Sequence, residues 1–241
     1  MPGGGPAATD RCQEAGREGQ RTRLPQVHRG LLPLRGLRPI KEEILARPTF
    51  FGHFDGVVVD WRYFREREQQ SLAAEAGWIQ RQGLRVWVDL SSGANLFPTL
   101  RLIDNVPEDY AASMAAVSDI QAKMERVGAQ DLILSLHRHP ENNFSGDQTR
   151  AAFDKTLREL AAQAARRHQR LHLRLAFGKP PGSLNEAAQL LDRIGATNLH
   201  LAASTAMLAE VASSFETMKA WGARLGIWLV AFARQDVTRR L

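Results

Sequence analysis

The stretch DLILSLHRHPENNF, residues 131–144, sets the terms for the whole chain. Asp131 to Leu136 reads as a buried parallel strand. At its carboxyl end come His137, His139, Pro140, Glu141, Asn142 and Asn143. In alternating β/α folds the chemistry sits at the carboxyl ends of the strands. A gathering of His, Glu and Asn at that place marks either a working site or the remains of one.

The same rhythm extends in both directions. GVVVDW (56–61) is a β-branched run carrying Asp60 near its end, and a helical pattern follows from Tyr63 to Gln82. LRVWVDL (84–90) is the next strand and carries Asp89. Pro107 and Glu108 open a helix over Asp109–Val127, which Gly128 closes. After the 131–137 strand, Ser145 and Gln148 form a capping box that opens a helix running to about His168. LHLRLAF (171–177) is a strand, and Ser183 with Glu186 caps a helix to Ile194 that stops at Gly195. NLHLAAS (198–204), a helix over 206–222 and LGIWLVAF (225–232) complete the series. Nearly continuous apolar strands separated by helices mean a parallel sheet covered on both faces. Six such units point to a barrel, and the lack of a Gly-rich turn after the first strand disfavours a dinucleotide fold. A further first strand is weak, lying in LLPLRG (31–36) or just before Phe54. The expected fold is therefore α/β, a parallel TIM-like (β/α) barrel over residues 31–241 behind a disordered basic tail at 1–30. A full barrel takes about 250 residues, so this one is expected to be short of strands unless a partner chain or a missing segment completes it.

Composition narrows the function. The 241 residues are 44% hydrophobic, enough for a sizeable core. The sequence has no run of about 18 apolar residues and no apolar segment of a signal peptide, so neither membrane nor export is expected. The single Cys12 excludes an internal disulfide and a cysteine-based zinc site, which fits a cytoplasmic compartment. A net charge of +6 would suit nucleic acid, but it is concentrated at the ends. Residues 1–38 hold seven Arg against Asp10, Glu14 and Glu18, and residues 234–241 hold three Arg against Asp236. The body is near neutral, so a phosphate-tracking groove is disfavoured.

The strand rhythm over about residues 54–233, with one strand ending in LHRHP (136–140), resembles the xylose isomerase-like barrel superfamily. That group includes sugar and sugar-phosphate isomerases and epimerases and metal-dependent abasic-site endonucleases. The resemblance implies the barrel, and it implies that the strand-His-Pro element would supply a metal ligand. The family then expects a Glu at the end of the next strand, where this chain has Phe177, Gly178 and Lys179. It expects an Asp and a His one strand later, where this chain has Ala202, Ala203, Ser204 and Thr205. A divalent cation needs several ligands converging on one point. These departures argue against the family's metal site, so no cofactor is expected, and the nuclease reading ranks last.

The candidate site residues follow. His137 and His139 are two apart and would face the same way on a regular strand. They would chelate a metal with Asp60, Asp89 or Glu141, or one would end the strand through a hydrogen bond. Asp60 and Asp89 end neighbouring strands, where they would converge at the barrel mouth or bind loop amides. Glu141, Asn142 and Asn143 make a polar loop suited to sugar hydroxyls, with Trp61 as the preferred stacking face and Phe97 and Phe144 as others. Trp87, in mid-strand, reads as core. Arg174 is a charge within a strand, costly unless paired. It is read as a partner of Asp89 or Glu141, with an anionic substrate group as the alternative. Lys179 would bind phosphate or face solvent. His168, His172 and His200 are scattered and receive no role. The expected function is a barrel that binds or acts on a sugar or sugar acid at its carboxyl-end mouth. If catalytic, it would be isomerase/epimerase-like or glycoside-processing, with His137 or His139 as proton shuttle. Asp89 or Glu141 would orient that histidine. The alternative is a catalytically silent barrel, a binding or structural module of a larger protein.

Overall fold

Valines and leucines at every second strand position fix which face of each strand meets the helices. Val57 and Val59, Val86 and Val88, Leu132 and Leu134, Leu171 and Leu173, and Leu201 and Ala203 all join one large core. The residues between them point the other way: Trp87, Ile133 and Ala202 form a second, separate cluster with Val58 packed against it. Successive side chains on a strand alternate in direction, so the sheet has an outer face against helices and an inner face gathered on itself.

A computed structural model describes residues 31–34, 38–46, 54–65, 67–90, 100–136, 143–174, 184–204 and 224–229. The strands are β1 Leu31–Leu34, β2 Gly56–Asp60, β3 Arg85–Asp89 and β4 Asp131–Leu134. They continue as β5 Arg170–Arg174, β6 Leu199–Ser204 and β7 Leu225–Leu229. All neighbours pair in parallel and in sequence order, β1 through β7. The helices are α1 Ile40–Leu45, α2 Trp61–Arg65, α3 Gln69–Arg81, α4 Pro107–Arg126, α5 Gly146–Arg166 and α6 Leu184–Ile194. Parallel strands in unbroken order, joined by helices on one side, are the architecture of a (β/α) barrel. Among the described residues seven strands are present rather than six, because LLPL forms β1, and no pairing joins β7 to β1. No helix among them is long and apolar enough to cross a membrane.

Local chemistry explains most element boundaries. Ser145 accepts from the Gln148 amide while the Gln148 side chain accepts from the Ser145 amide, the capping box expected at the start of α5. Gly128 and Gly195 adopt φ of +70° and +71°, the left-handed stop that follows α4 and α6. Two boundaries differ from the sequence reading. The helix expected over Tyr63–Gln82 is two helices, α2 and α3, because the chain is extended at Glu68 (φ −72°, ψ 153°). The strand ends at Asp60 as expected, but Trp61, read at the strand end, opens α2, because the Asp60 carboxylate accepts from the Arg62 amide and turns the chain. The tail at 1–30 and the helix expected at 206–222 lie outside the described residues.

Gly56 is required by the close approach of β2 to β3. A Cβ there would stand 2.3 Å from the Arg85 carbonyl oxygen. Gly56→Val is expected to destabilise the fold by about 2 kcal/mol through overpacking, measurable as a lowered urea midpoint with an unchanged slope.

Candidate functional site

The inner face of the barrel is unusually polar at both ends. From the amino end to the carboxyl end, β3 turns Arg85, Trp87 and Asp89 inward, and β5 turns Arg170, His172 and Arg174 inward. β4 contributes Asp131 and Ile133, and β2 contributes Gly56, Val58 and Asp60.

The carboxyl end is the mouth. Asp60 and Asp89 are register partners on β2 and β3, side by side as expected. Asp60 is 6% exposed. Its Oδ1 accepts from the Arg62 backbone N–H (2.9 Å) and Nε (3.0 Å), and its Oδ2 accepts from Nη2 (2.9 Å). A fork of this kind is the strong form of a carboxylate–guanidinium pair. Across the mouth, Arg174 Nη1 donates to Asp89 Oδ2 at 3.4 Å. The pairing of Arg174 read from the sequence is thus with Asp89. The contact is long, and the Arg174 side chain is 41% exposed.

Other expected site residues fall elsewhere. Trp61 does not offer a stacking face. It is 5% exposed and packed in the outer core, with the Arg65 guanidinium 5.6 Å from its ring centre. The turn at Asp60 sends its ring toward the helices rather than the mouth. Asn143 is exposed just ahead of the Ser145 cap, and Phe144 is half-buried beside it. His137, His139, Glu141, Asn142, Lys179 and Phe97 lie outside the described residues.

Below the mouth lies a cluster that the sequence reading passed over. Asp131 is buried at the start of β4. Its Oδ1 bonds His172 Nε2 at 2.8 Å, and its Oδ2 accepts from Arg170 Nη2 at 2.8 Å. Burial alone would raise the Asp131 pKa, but the hydrogen bonds and charges of His172 and Arg170 outweigh it and hold the carboxyl below its usual range. The His172 ring is 4.9 Å from the Trp87 ring and stacks on His200 at 5.5 Å. Burial, then His172 and Arg170, push the His200 pKa below its ordinary value, with Asp131 opposing. Two of the three histidines called scattered, His172 and His200, are therefore neighbours on adjacent strands. Their alternation with Leu171, Leu173, Leu199 and Leu201 was the signal that could have shown it.

The barrel family implies a divalent cation at such a mouth. Among the described residues, no three His, Cys, Asp or Glu side chains converge where a metal ion could sit. Both described mouth carboxylates face guanidinium groups, which are the wrong neighbours for a cation. The described donor set does not fit one.

Fold and site together define a parallel (β/α) barrel with a charged carboxyl-end mouth. No protein-family model matches the sequence, and no curated protein matches it. Solved structures do. A D-psicose 3-epimerase crystallised in the presence of D-fructose is similar at a TM-score of 0.62 and 14% identity, covering 76% of this chain and 66% of that one. A D-psicose 3-epimerase from Clostridium cellulolyticum H10 with D-tagatose gives 0.67 at 12% identity, covering 81% and 68%. A xylose isomerase domain protein from Planctomyces limnophilus gives 0.51 at 16% identity, covering 73% and 64%. The chain thus spans about two thirds of the length of these structures. At such identities the likeness establishes the fold alone, a parallel (β/α) barrel like those of these epimerase and isomerase-domain structures.

Proposed function

We propose that this chain binds or acts on a sugar or sugar acid at the carboxyl-end mouth of its barrel, in the manner of a sugar isomerase or epimerase. The observation that carries the reading is the Asp60–Asp89 pair beside Arg174 at that mouth, on a fold shared with D-psicose 3-epimerases. Carboxylates accept from vicinal hydroxyls, and a half-exposed guanidinium holds a carboxylate or an enediolate-like anion. The Asp89–Arg174 contact is long and its guanidinium is half-exposed, so on the Arg174 side it is a weak pair that a ligand anion can compete with. Asn142, Asn143 and Lys179 would complete the polar rim. In the catalytic form His137 or His139 moves the proton, because imidazole titrates near neutral pH, and Asp89 or Glu141 fixes its orientation.

A second reading, a catalytically silent barrel, is favoured by one observation: the fork of Arg62 on Asp60 is a structural arrangement that occupies both carboxylate oxygens. Thermal melting in the presence of sugars, sugar acids, Zn²⁺, Mn²⁺ and Mg²⁺ separates the two readings. A ligand at 100 times its dissociation constant adds about 2.7 kcal/mol to the folded state. The sugar reading expects a rise in Tm with at least one sugar or sugar acid, reduced in Arg174→Ala and in His137→Ala. No rise with any of them leaves the silent module.

A further inference from the structure

Two polar atoms inside the barrel have no hydrogen-bond partner among the described residues although they are sealed from solvent: Trp87 Nε1 and His172 Nδ1. Trp87 is 6% exposed and His172 is 2% exposed. Their rings lie 4.9 Å apart at an angle of 33°, Trp87 reaching from β3 and His172 from β5. Each stands two residues inward of a mouth residue on the same face of the same strand: Trp87 below Asp89, His172 below Arg174. The unpaired atoms therefore belong to the layer directly beneath the Asp89–Arg174 contact.

Their hydrogen-bonding characters limit what can answer them. Indole Nε1 carries a proton and can only donate. His172 Nε2 faces Asp131 Oδ1 at 2.8 Å, and a carboxylate only accepts, so Nε2 must carry the proton. Nδ1 is then a bare lone pair when the ring is neutral and a second N–H donor when it is charged. Asp131 is itself anchored by Arg170 on its other oxygen, so the imidazole is held in one orientation and one tautomer. Leaving two buried polar atoms unmatched is costly, and native proteins rarely tolerate it without a use for the groups. A hydroxyl answers both in either state: it accepts from the indole N–H, and it donates to a bare Nδ1 or accepts from a protonated one. An ammonium would meet the N–H of Trp87 unfavourably, and a carboxylate would suit Nδ1 only with the ring charged.

We propose that Trp87 and His172 form a hydroxyl-recognition subsite on the floor of the barrel, which receives one hydroxyl of a polyhydroxylated ligand entering between Asp89 and Arg174. This rests on the sugar reading of the mouth and adds which protein atoms select the ligand's inner end. The Asp89–Arg174 contact stands one inward-facing place nearer the mouth on the same two strands, so the ligand's inner end passes it. Asp131 acts through His172 and is a positioning residue.

Two substitutions each delete one of the two hydrogen-bonding atoms. Trp87→Phe deletes the N–H and retains an aromatic ring. His172→Gln retains a donor toward Asp131 and deletes Nδ1. The probes are D-fructose and its monodeoxy derivatives, with binding measured calorimetrically and folding checked by circular dichroism. The expected result is a roughly fivefold to tenfold weaker D-fructose affinity in each variant, as for loss of one hydrogen bond. Wild-type protein should discriminate against one deoxy position, and both variants should lose that discrimination. Should the variants fail to fold, the Trp87 indole N–H proton in the ¹⁵N spectrum of the wild-type protein gives the answer, since it is expected to move downfield as D-fructose saturates. Binding of D-fructose that neither variant weakens, or that leaves the indole proton unmoved, overturns the subsite and spares the sugar reading. A wild-type protein that binds neither D-fructose, its deoxy forms nor any other sugar or sugar acid of the melting panel overturns both.

Discussion

Asp131→Ala is expected to lower the free energy of unfolding by about 3 kcal/mol, the low end of the range for removing one partner of a buried ion pair. The low end applies because Arg170 is half-exposed and can rehydrate, whereas His172 is buried and cannot. Asp131→Asn should recover only part of the loss, since its amide nitrogen must face either the His172 N–H or the Arg170 guanidinium, donor against donor. Urea denaturation at neutral pH measures both, and a loss under about 1 kcal/mol for alanine would show that the cluster does not hold β4 to β5. The same cluster sets an acid dependence. His200 is held below its ordinary value of 6.5, so the unfolded chain takes up its proton first and stability falls as pH drops through that value. The Asp131 carboxyl is likewise held low. Its contribution is present above about pH 4 and is lost as pH falls further. His200→Gln should flatten the upper step and leave the lower one, which melts recorded between pH 7.5 and 3 resolve.

Glu75→Ala is expected to cost a similar amount, about 3 kcal/mol. Glu75 is a buried carboxylate on α3. It accepts from the Ile40 backbone N–H at 3.1 Å, from the Tyr63 hydroxyl and from Arg67 Nη1 at 3.1 Å. It therefore ties α1 and α2 to α3, and burial together with Glu75 drives the Tyr63 pKa well above its ordinary value. Each buried donor left without its acceptor costs about 1–3 kcal/mol. Tyr63→Phe removes one of the three and should cost about 1 kcal/mol. Hydrogen exchange gives the local signature: amides of Ile40–Leu45 should exchange faster in Glu75→Ala, and equal protection there would contradict the tie.

The barrel was legible because its outer face is written in β-branched and leucine residues at every second position, and the helix ends carry Ser145, Gly128 and Gly195. Asp60, Asp89 and the partner of Arg174 could be placed because strand ends follow directly from strand register. The inner cluster was missed for a physical reason. LHLRLAF and NLHLAAS scan as nearly continuous apolar runs, as parallel strands usually do, and the single polar residues inside them stand isolated in that reading. Read with period two, His172 and Arg174 share the inward face of β5, and His200 takes the neighbouring place on β6. Trp61 was misplaced because a strand-end position points to the mouth only if the strand continues, and Asp60 ends it one residue before Trp61. The short helix α1, six residues long, leaves too little periodicity to be seen.

The central claim is that a polyhydroxylated ligand enters at the carboxyl ends of the strands. Backbone amide shifts recorded while D-fructose is titrated into ¹⁵N-labelled protein test it most directly. The account predicts that the largest changes fall at Asp60, Asp89 and Arg174, with Gly56, Arg85 and Arg170 at the opposite end nearly still. Changes gathered at Gly56, Arg85 and Arg170 instead, or none with any sugar or sugar acid tried, would contradict it.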